Sequence, residues 1–156
     1  MPIFNRHYVG QGNVHQPDAL FMLGPFLEAQ IHLPQPLINL LTSQGQTLPA
    51  PKPGIAIIDT GATRTCVDQQ ILTSLNLNPV GVMSLGTAAG PTQNYIYAAR
   101  IEFTTIHMVL DSTVIGVSLQ GQNVNGQPVI ALIGRDLLRR GLFVYSGTGG
   151  FFTLAF

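Results

Sequence analysis

The chain has a single cysteine, no tryptophan and very little charge. One cysteine excludes an internal disulfide and any metal site built from several cysteine ligands. Only 9% of the residues are charged, whereas a typical domain has about 25%. The seven basic and seven acidic side chains cancel and form no run or stripe, so the sequence offers no electrostatic surface for nucleic acid or for a charged membrane.

Long apolar runs are also missing. No stretch approaches the roughly 18 apolar residues of a membrane span, and residues 1–13 lack the apolar centre of a secretory signal. We therefore expect a cytoplasmic protein. Of the 156 residues, 46% are hydrophobic, which is enough for one domain with a substantial core and predicts apolar surface that an oligomer would cover.

The apolar pattern predicts a mostly β chain. Ten or so short strand-like segments are separated by turn residues and by two or three brief helices, one of which is expected to begin at Asp68 as its N-cap. For residues 1–25 we expect an irregular arm with a short strand at Leu20–Leu23. Residues 1–53, which end in a proline-rich loop, are expected to pack as an arm and a strand on the same domain as a core of residues 54–156. The alternative for residues 1–50 is a removable pro-segment or a cover over the substrate groove.

Two similar apolar segments contain the residues that point to a chemical function. The apolar run Ile55–Ile58 ends in Asp59, and a second apolar run, Val129–Ile133, ends in the turn residue Gly134. A carboxylate at the end of a buried strand is costly on its own. Two carboxylates about 3 Å apart cannot both ionise, so one serves as base and the other as acid. Chemistry that uses such a carboxylate therefore generally needs a second one beside it, so that the ionised member can take a proton from a water molecule while the protonated member polarises a carbonyl.

The segment 57–62, Ile-Ile-Asp-Thr-Gly-Ala, resembles the active-site loop of aspartic proteases, and alanine after the glycine is the form of the retroviral, or retropepsin-like, branch. Segment 131–138 resembles the second signature of that branch, and segment 152–156 resembles its C-terminal strand. The resemblance covers roughly residues 55–156. It implies a mostly β, retropepsin-like closed β-barrel domain with one or two short helices. It also implies a homodimer, because the chain has one Asp-Thr-Gly motif where two-lobed aspartic proteases have two.

The resemblance assigns roles to individual residues. Asp59 of each protomer would share one proton and activate water, Thr60 would link the two loops across the axis, and Gly61 would lie against the substrate backbone. A hairpin of two strands around residues 86–91 would form a flap over an extended peptide. The substrate-binding residues so implied are Ala62, Cys66, Val82, Gly86, Thr87, Ala88, Ala89, Gly90 and Leu132. Structural support would come from Gly134, Arg135 and Asp136.

The implied activity is that of an aspartic endopeptidase that acts on extended peptides without metal or cofactor. Neither nucleic acid nor membrane is an expected partner. Retroviral enzymes often have an acidic residue after the alanine, which pairs with the arginine of the second signature. Here Thr63 and Arg64 follow instead, so Arg135 either needs another partner or has only the loop carbonyls and Thr65. Asp136 is a candidate for bonding Thr65 and the start of the helix.

Three alternatives stay open. The missing acid favours a catalytically weak, protease-like dimeric module that only binds peptides. Asp59 could merely cap its own loop in an Asx turn. Cys66 could be a nucleophile, although no histidine motif accompanies it and a lone cysteine is usually a small core residue. The four histidines lack metal-ligand spacing.

The residue after the glycine also predicts the pH optimum. A serine there would donate an additional hydrogen bond to the ionised carboxylate, and Ala62 cannot. We therefore expect a mildly acidic optimum instead of a strongly acidic one.

Overall fold

Six strands of the chain close into a barrel. The computed structural model describes residues 3–10, 16–87 and 90–156, and its composition of 50% strand and 20% helix makes the chain mostly β, as predicted. The strands are β1 (Ile3–His7), β2 (Phe26–His32), β3 (Lys52–Ile58), β4 (Cys66–Asp68), β5 (Pro79–Thr87), β6 (Gly90–Phe103), β7 (Met108–Val117), β8 (Asn123–Val124), β9 (Gln127–Ile133), β10 (Leu142–Ser146) and β11 (Phe151–Ala155). The helices are α1 (Pro17–Leu23), α2 (Gln35–Ser43), α3 (Gln69–Ser74) and α4 (Arg135–Leu138).

The barrel strands follow the order β2-β3-β9-β4-β7-β6, and β6 pairs back onto β2. Strand β5 extends β6 into a hairpin, and β8 pairs with the start of β9. Strands β1, β11 and β10 form a separate antiparallel sheet. The predicted closed barrel is confirmed, and the described residues contain four short helices instead of the one or two expected.

Alternation along the strands builds the core. In β6, Tyr97, Ala99, Ile101 and Phe103 are buried, and the residues between them are half-buried. This period of two is what a strand with one face on the core requires. No helix of the described ranges has the length and hydropathy that a bilayer crossing needs.

The parallel pair β3–β9 places the two chemistry-bearing segments side by side. Ile57 pairs with Leu132, and Ile58 pairs with Ile133. Because parallel strands end at the same edge of a sheet, the loops after them meet there. The N–H of Asp59 donates to the carbonyl of Ile133 at 3.0 Å, which joins the two loops directly.

The N-terminal quarter differs from its prediction. Residues Pro17–Leu23 form a helix, so the strand predicted at Leu20–Leu23 is wrong. Pro17 suits the first helical turn, where its missing N–H costs nothing, and Gly24 ends the helix with a φ of +69°. Strand β1, expected to be irregular, pairs with β11 at the other end of the chain.

Helix α3 and strand β4 differ in how far the sequence predicted them. Asp68 is the N-cap of α3, as predicted, and its carboxylate accepts a hydrogen bond from the N–H of Gln70 at 2.9 Å. Strand β4 was not predicted, because its three residues are all buried and too few to show a strand period.

Candidate active site

Asp59 is the first residue after β3, and one of its carboxylate oxygens is anchored by the loop. Oδ1 accepts hydrogen bonds from the N–H of Gly61 at 2.9 Å and from that of Ala62 at 3.2 Å. None of the hydrogen bonds among the described residues reaches Oδ2. The anchored oxygen fixes the direction of the carboxylate, and Oδ2 is left to accept a bond from a water or a second acid.

Glycine at position 61 leaves room for the anchored carboxylate oxygen. A Cβ on Gly61 would lie 3.1 Å from Oδ1 of Asp59, which is tighter than ordinary van der Waals contact. Thr60 and Gly61 are exposed, and Asp59 is half-buried. Although strand β3 is largely buried, the loop that follows it is not buried in the single chain.

Arg135 holds the Asp59 loop in place through hydrogen bonds. Its Nη1 donates to the carbonyl of Thr60 at 2.8 Å and to that of Gly61 at 3.4 Å, and its Nη2 donates to Oγ1 of Thr63 at 2.9 Å. The backbone N–H of Arg135 also donates to the carbonyl of Ala62. The planar guanidinium reaches several acceptors of one turn at once. Sequence reasoning considered the loop carbonyls as partners but named Thr65 where the structure has Thr63.

Asp136 connects the second loop to the chain after Ala62. Its Oδ1 accepts bonds from the N–H of Thr65 at 2.9 Å, the hydroxyl of Thr65 at 2.7 Å and the N–H of Leu137 at 2.9 Å. Its Oδ2 forms an ion pair with Nε of Arg64 at 3.4 Å. The hydroxyl oxygen of Thr65, which is fully buried, accepts a bond from the N–H of Gly134 at 3.1 Å. Asp136 is thus committed to holding the loops together.

The other acidic side chains are also engaged away from Asp59. Asp68 caps α3 and accepts a second bond from the N–H of Leu119 at 2.8 Å. Three more carboxylates have cationic or histidine partners: Glu28 with Arg6, Glu102 with His32, and Asp111 with Arg100.

Asp18 is the remaining acid. It is exposed in the first turn of α1. The residues outside the described ranges include no Asp or Glu. None of the hydrogen bonds or ion pairs of the described residues joins a second carboxyl group to Asp59.

Cys66 lies close to Asp59 but is not suited to nucleophilic attack. It is buried in β4, where it pairs with Leu132. Burial, together with the nearby carboxylates of Asp136 and Asp59, raises the pKa of the thiol to about 11. Since the thiolate is the reactive form, these surroundings suit a core residue and not a nucleophile.

This burial predicts slow labelling of Cys66. At about pH 8 the native thiol is expected to react with iodoacetamide about 100-fold more slowly than the same thiol in denaturant, because so little of it is ionised. Labelling should accelerate as the pH rises towards the raised pKa. Mass spectrometry of quenched samples measures both rates. Equal rates in the native and unfolded chain would contradict the buried placement.

The predicted flap is a hairpin that projects from the barrel. The part of β6 before Ile96 pairs only with β5. On one face, Val82 lies opposite Tyr95, and both are exposed. Nearer the tip, Gly86 pairs with Pro91 and Thr87 with Gly90. The predicted tip residues Ala88 and Ala89 lie outside the described residues, and no hydrogen bond of the described part joins the hairpin to the Asp59 loop.

A cavity of about 630 Å³ lies away from Asp59, between α3, the loop at residues 119–122 and the start of β9. A cleft shared between two protomers would not appear as a cavity of one chain. Among the described residues, no group of three His, Cys, Asp or Glu side chains could hold a metal ion.

No family model and no curated protein matches the sequence. Several solved structures do. The simian foamy virus (mac) protease in solution has a TM-score of 0.43 and 20% identity, covering 72% of this chain and 89% of that one. The EIAV protease complexed with the inhibitor HBY-793 has a TM-score of 0.42 and 15% identity, covering 74% and 86%. A retropepsin-like aspartic protease from Rickettsia conorii has a TM-score of 0.49 and 12% identity, covering 97% and 90%. This chain is similar to these proteases, and its own residues carry the inference on activity.

Proposed function

We propose that this chain is one half of a homodimeric aspartic endopeptidase, with one Asp59 from each copy at the catalytic centre. The observation that carries the proposal is the arrangement of hydrogen bonds at the Asp59 carboxylate. Its Oδ1 is fixed by the N–H groups of Gly61 and Ala62, its Oδ2 has no bond from the described residues, and five of the six other acids of the chain have bonds elsewhere.

The reaction follows from two adjacent carboxylates that share one proton. The ionised Asp59 takes a proton from a water molecule, whose oxygen attacks the carbonyl carbon of the peptide bond. The protonated Asp59 of the other copy donates to the carbonyl oxygen, which becomes a hydroxyl of the tetrahedral intermediate. The C–N bond then breaks, the nitrogen takes a proton from the acid that received it, and the hydroxyl returns its proton to the pair.

Hydrogen bonds hold the Asp59 loop in one conformation before the reaction, which supports this chemistry. Arg135 fixes the carbonyls of Thr60 and Gly61, and Asp136 fixes the buried Thr65. A carboxylate on such a loop needs little reorganisation when charge moves in the transition state. In this proposal Thr60 bonds across the twofold axis, and Gly61 lies against the substrate backbone.

The substrate is proposed to be an extended peptide with apolar side chains around the cleaved bond. The residues assigned to the side-chain pockets, Ala62, Cys66, Val82 and Leu132, carry no charge. Main-chain bonds between the floor and the flap at residues 86–90 would supply most of the affinity, as in strand addition.

A peptide-binding module without hydrolysis is the second candidate. The residues Thr63 and Arg64, which stand where an acid is common, favour it. In this chain, however, Arg135 reaches the carbonyls of Thr60 and Gly61 and the hydroxyl of Thr63 without that acid. Because the loop is braced in this way, the missing acid does not require a loss of activity.

A pH–rate profile tests the proposed chemistry. With a fluorogenic apolar peptide, the rate is expected to peak at about pH 4–6, because the side chain of Ala62 has no hydroxyl to stabilise the ionised carboxylate. In the variant Ala62→Ser, the added donor should move the acidic limb to lower pH. A wild-type peak near about pH 2–3 would contradict the assignment, and the absence of any cleavage over the whole range would favour the binding module.

A further inference from the structure

A cationic side chain lines the cavity of about 630 Å³ beside α3. Lys52, the single lysine of the chain, lies half-buried at the start of β3. No hydrogen bond or ion pair within the described ranges engages its ammonium group. The volume falls in the range of about 300–1,000 Å³ that is common for small-ligand sites. One ammonium balances the single charge of a carboxylate, whereas a phosphate group carries about two charges.

Asp68 joins two walls of this cavity. It is only 7% exposed. Its Oδ1 accepts the N–H of Gln70 on α3 at 2.9 Å, and its Oδ2 accepts the N–H of Leu119 at 2.8 Å. Because both oxygens accept bonds from backbone groups of the walls, the carboxylate is committed to the fold and compensated there. Lys52 therefore remains the charge that a ligand can pair with.

The floor of the cavity is apolar and closely packed. Val129 and Ile130 of β9 line it and are 4% and 1% exposed. A Cβ on Gly54 of β3 would lie 2.4 Å from Cγ2 of Ile130 and 2.7 Å from the carbonyl oxygen of Pro128, so β3 and β9 approach closely here. A floor of this kind is formed before a ligand arrives and suits an apolar side chain.

Three exposed glutamines, Gln70, Gln120 and Gln122, also line the cavity. Within the described part of the chain, Gln70 and Gln122 make hydrogen bonds through their backbone groups only. Each side-chain amide offers both donors and an acceptor. The main chain of a peptide presents matching C=O and N–H groups, whereas the hydrocarbon chain of a fatty acid has neither. The polar groups of the cavity therefore favour a peptide.

We propose that this cavity binds the carboxyl end of a peptide whose last side chain is apolar. The carboxylate pairs with Lys52, the last side chain lies on Val129 and Ile130, and the glutamine amides bond to the main chain. This inference rests on the proposed function, since hydrolysis between apolar residues leaves carboxyl ends of this kind. Residues 59–62 do not line the cavity, which makes it a product site separate from the catalytic loop.

A thermodynamic cycle between Lys52 and the peptide carboxylate tests the pairing. The probe is acetyl-Ala-Ala-Leu, with a free carboxylate or as its carboxamide, and an amidated peptide with a non-hydrolysable hydroxyethylene group occupies the catalytic cleft. Amide NMR shifts at residues 119–122 give Kd. The carboxamide is expected to bind the wild type about 10-fold more weakly than the carboxylate. The variant Lys52→Met should weaken the carboxylate form by the same factor and leave the carboxamide form unchanged.

Two variants and a second probe serve as controls. Lys52→Arg keeps the charge and should keep the preference for the carboxylate. Arg140→Met removes an exposed cation after α4 and should bind both peptide forms like the wild type. Equal binding of the two forms to the wild type, or equal losses in Lys52→Met and Arg140→Met, would overturn the site. Octanoate that binds as tightly as the peptide would show that the amides are not used, and the peptide assignment would be wrong.

Hydrolysis is assayed separately on the wild-type chain. A chain that binds the carboxylate peptide through Lys52 but cleaves no peptide refutes the proposed function alone. A chain that cleaves peptides but shows no binding that depends on Lys52 refutes the product site alone.

Discussion

Replacing Asp59 with asparagine is expected to lower kcat/KM for peptide hydrolysis by about 10³-fold or more while the chain stays folded. The amide oxygen of the new side chain can still accept the hydrogen bonds that Gly61 and Ala62 now donate to Oδ1. The loop therefore keeps its shape. The amide cannot take a proton from water at working pH, so the general base is lost.

Three readouts separate this result from a folding defect. Circular dichroism and the thermal midpoint should match the wild type, and the variant should still bind a peptide whose cleavable bond is replaced by a non-hydrolysable hydroxyethylene group. Asp18→Asn is the matched control, because it removes the same charge from an exposed position on α1. If the Asp59→Asn variant cleaves peptides at the wild-type rate, Asp59 is only a loop cap.

Replacing Gly134 with alanine is expected to destabilise the chain by about 3 kcal/mol and to lower activity with it. A Cβ at this position would lie 2.5 Å from the carbonyl carbon of Arg64, 2.7 Å from its oxygen and 2.9 Å from the nitrogen of Thr65. All three atoms are backbone, so no side chain can turn away. To make room, the Thr65 segment would have to move off Asp136, whose bonds join the two loops.

Urea denaturation measures this loss, and Gly147→Ala is its control. At Gly147 the nearest atom to an added Cβ is Cε1 of Tyr145 at 3.5 Å, an ordinary contact, so the free energy of unfolding should change by less than about 0.5 kcal/mol. If Gly134→Ala were as stable as Gly147→Ala, the close approach of the two loops would be wrong.

The centre of the candidate site is predictable from sequence because its determinants are local. An apolar strand that ends in Asp59 and a second that ends at Gly134 each contain their own signal for a strand followed by a tight turn. Two strands of that kind in a closed barrel can lie in parallel with their ends together, and β3 and β9 do so. The bond of Asp136 to the N–H of Leu137 is likewise local, because Asp136 lies in the first turn of α4.

The parts that sequence reasoning missed depend on distant pairing. Nothing in residues 3–7 shows that their partner strand lies at residues 151–155. The apolar residues of α1 follow one another without a helical period, and a short apolar run of this kind also fits a strand. The bond from Arg135 to Thr63 has no sequence signal, since a threonine in a loop is usually bonded to its own turn. The proposed second protomer is beyond what one chain shows, and the single Asp-Thr-Gly motif and the low charge content are the features of the sequence that point to it.

The most direct test of the central claim is to refold wild-type and Asp59→Asn chains together in equal amounts and measure hydrolysis. If each site needs one Asp59 from each copy, activity should fall to about one quarter of that of wild-type protein at the same total concentration, because only that share of random dimers has both acids. With one part of wild type to three of variant it should fall to about one sixteenth. Activity that instead follows the wild-type fraction, about one half and about one quarter, would mean that each chain works alone and would contradict a catalytic centre shared across a twofold axis.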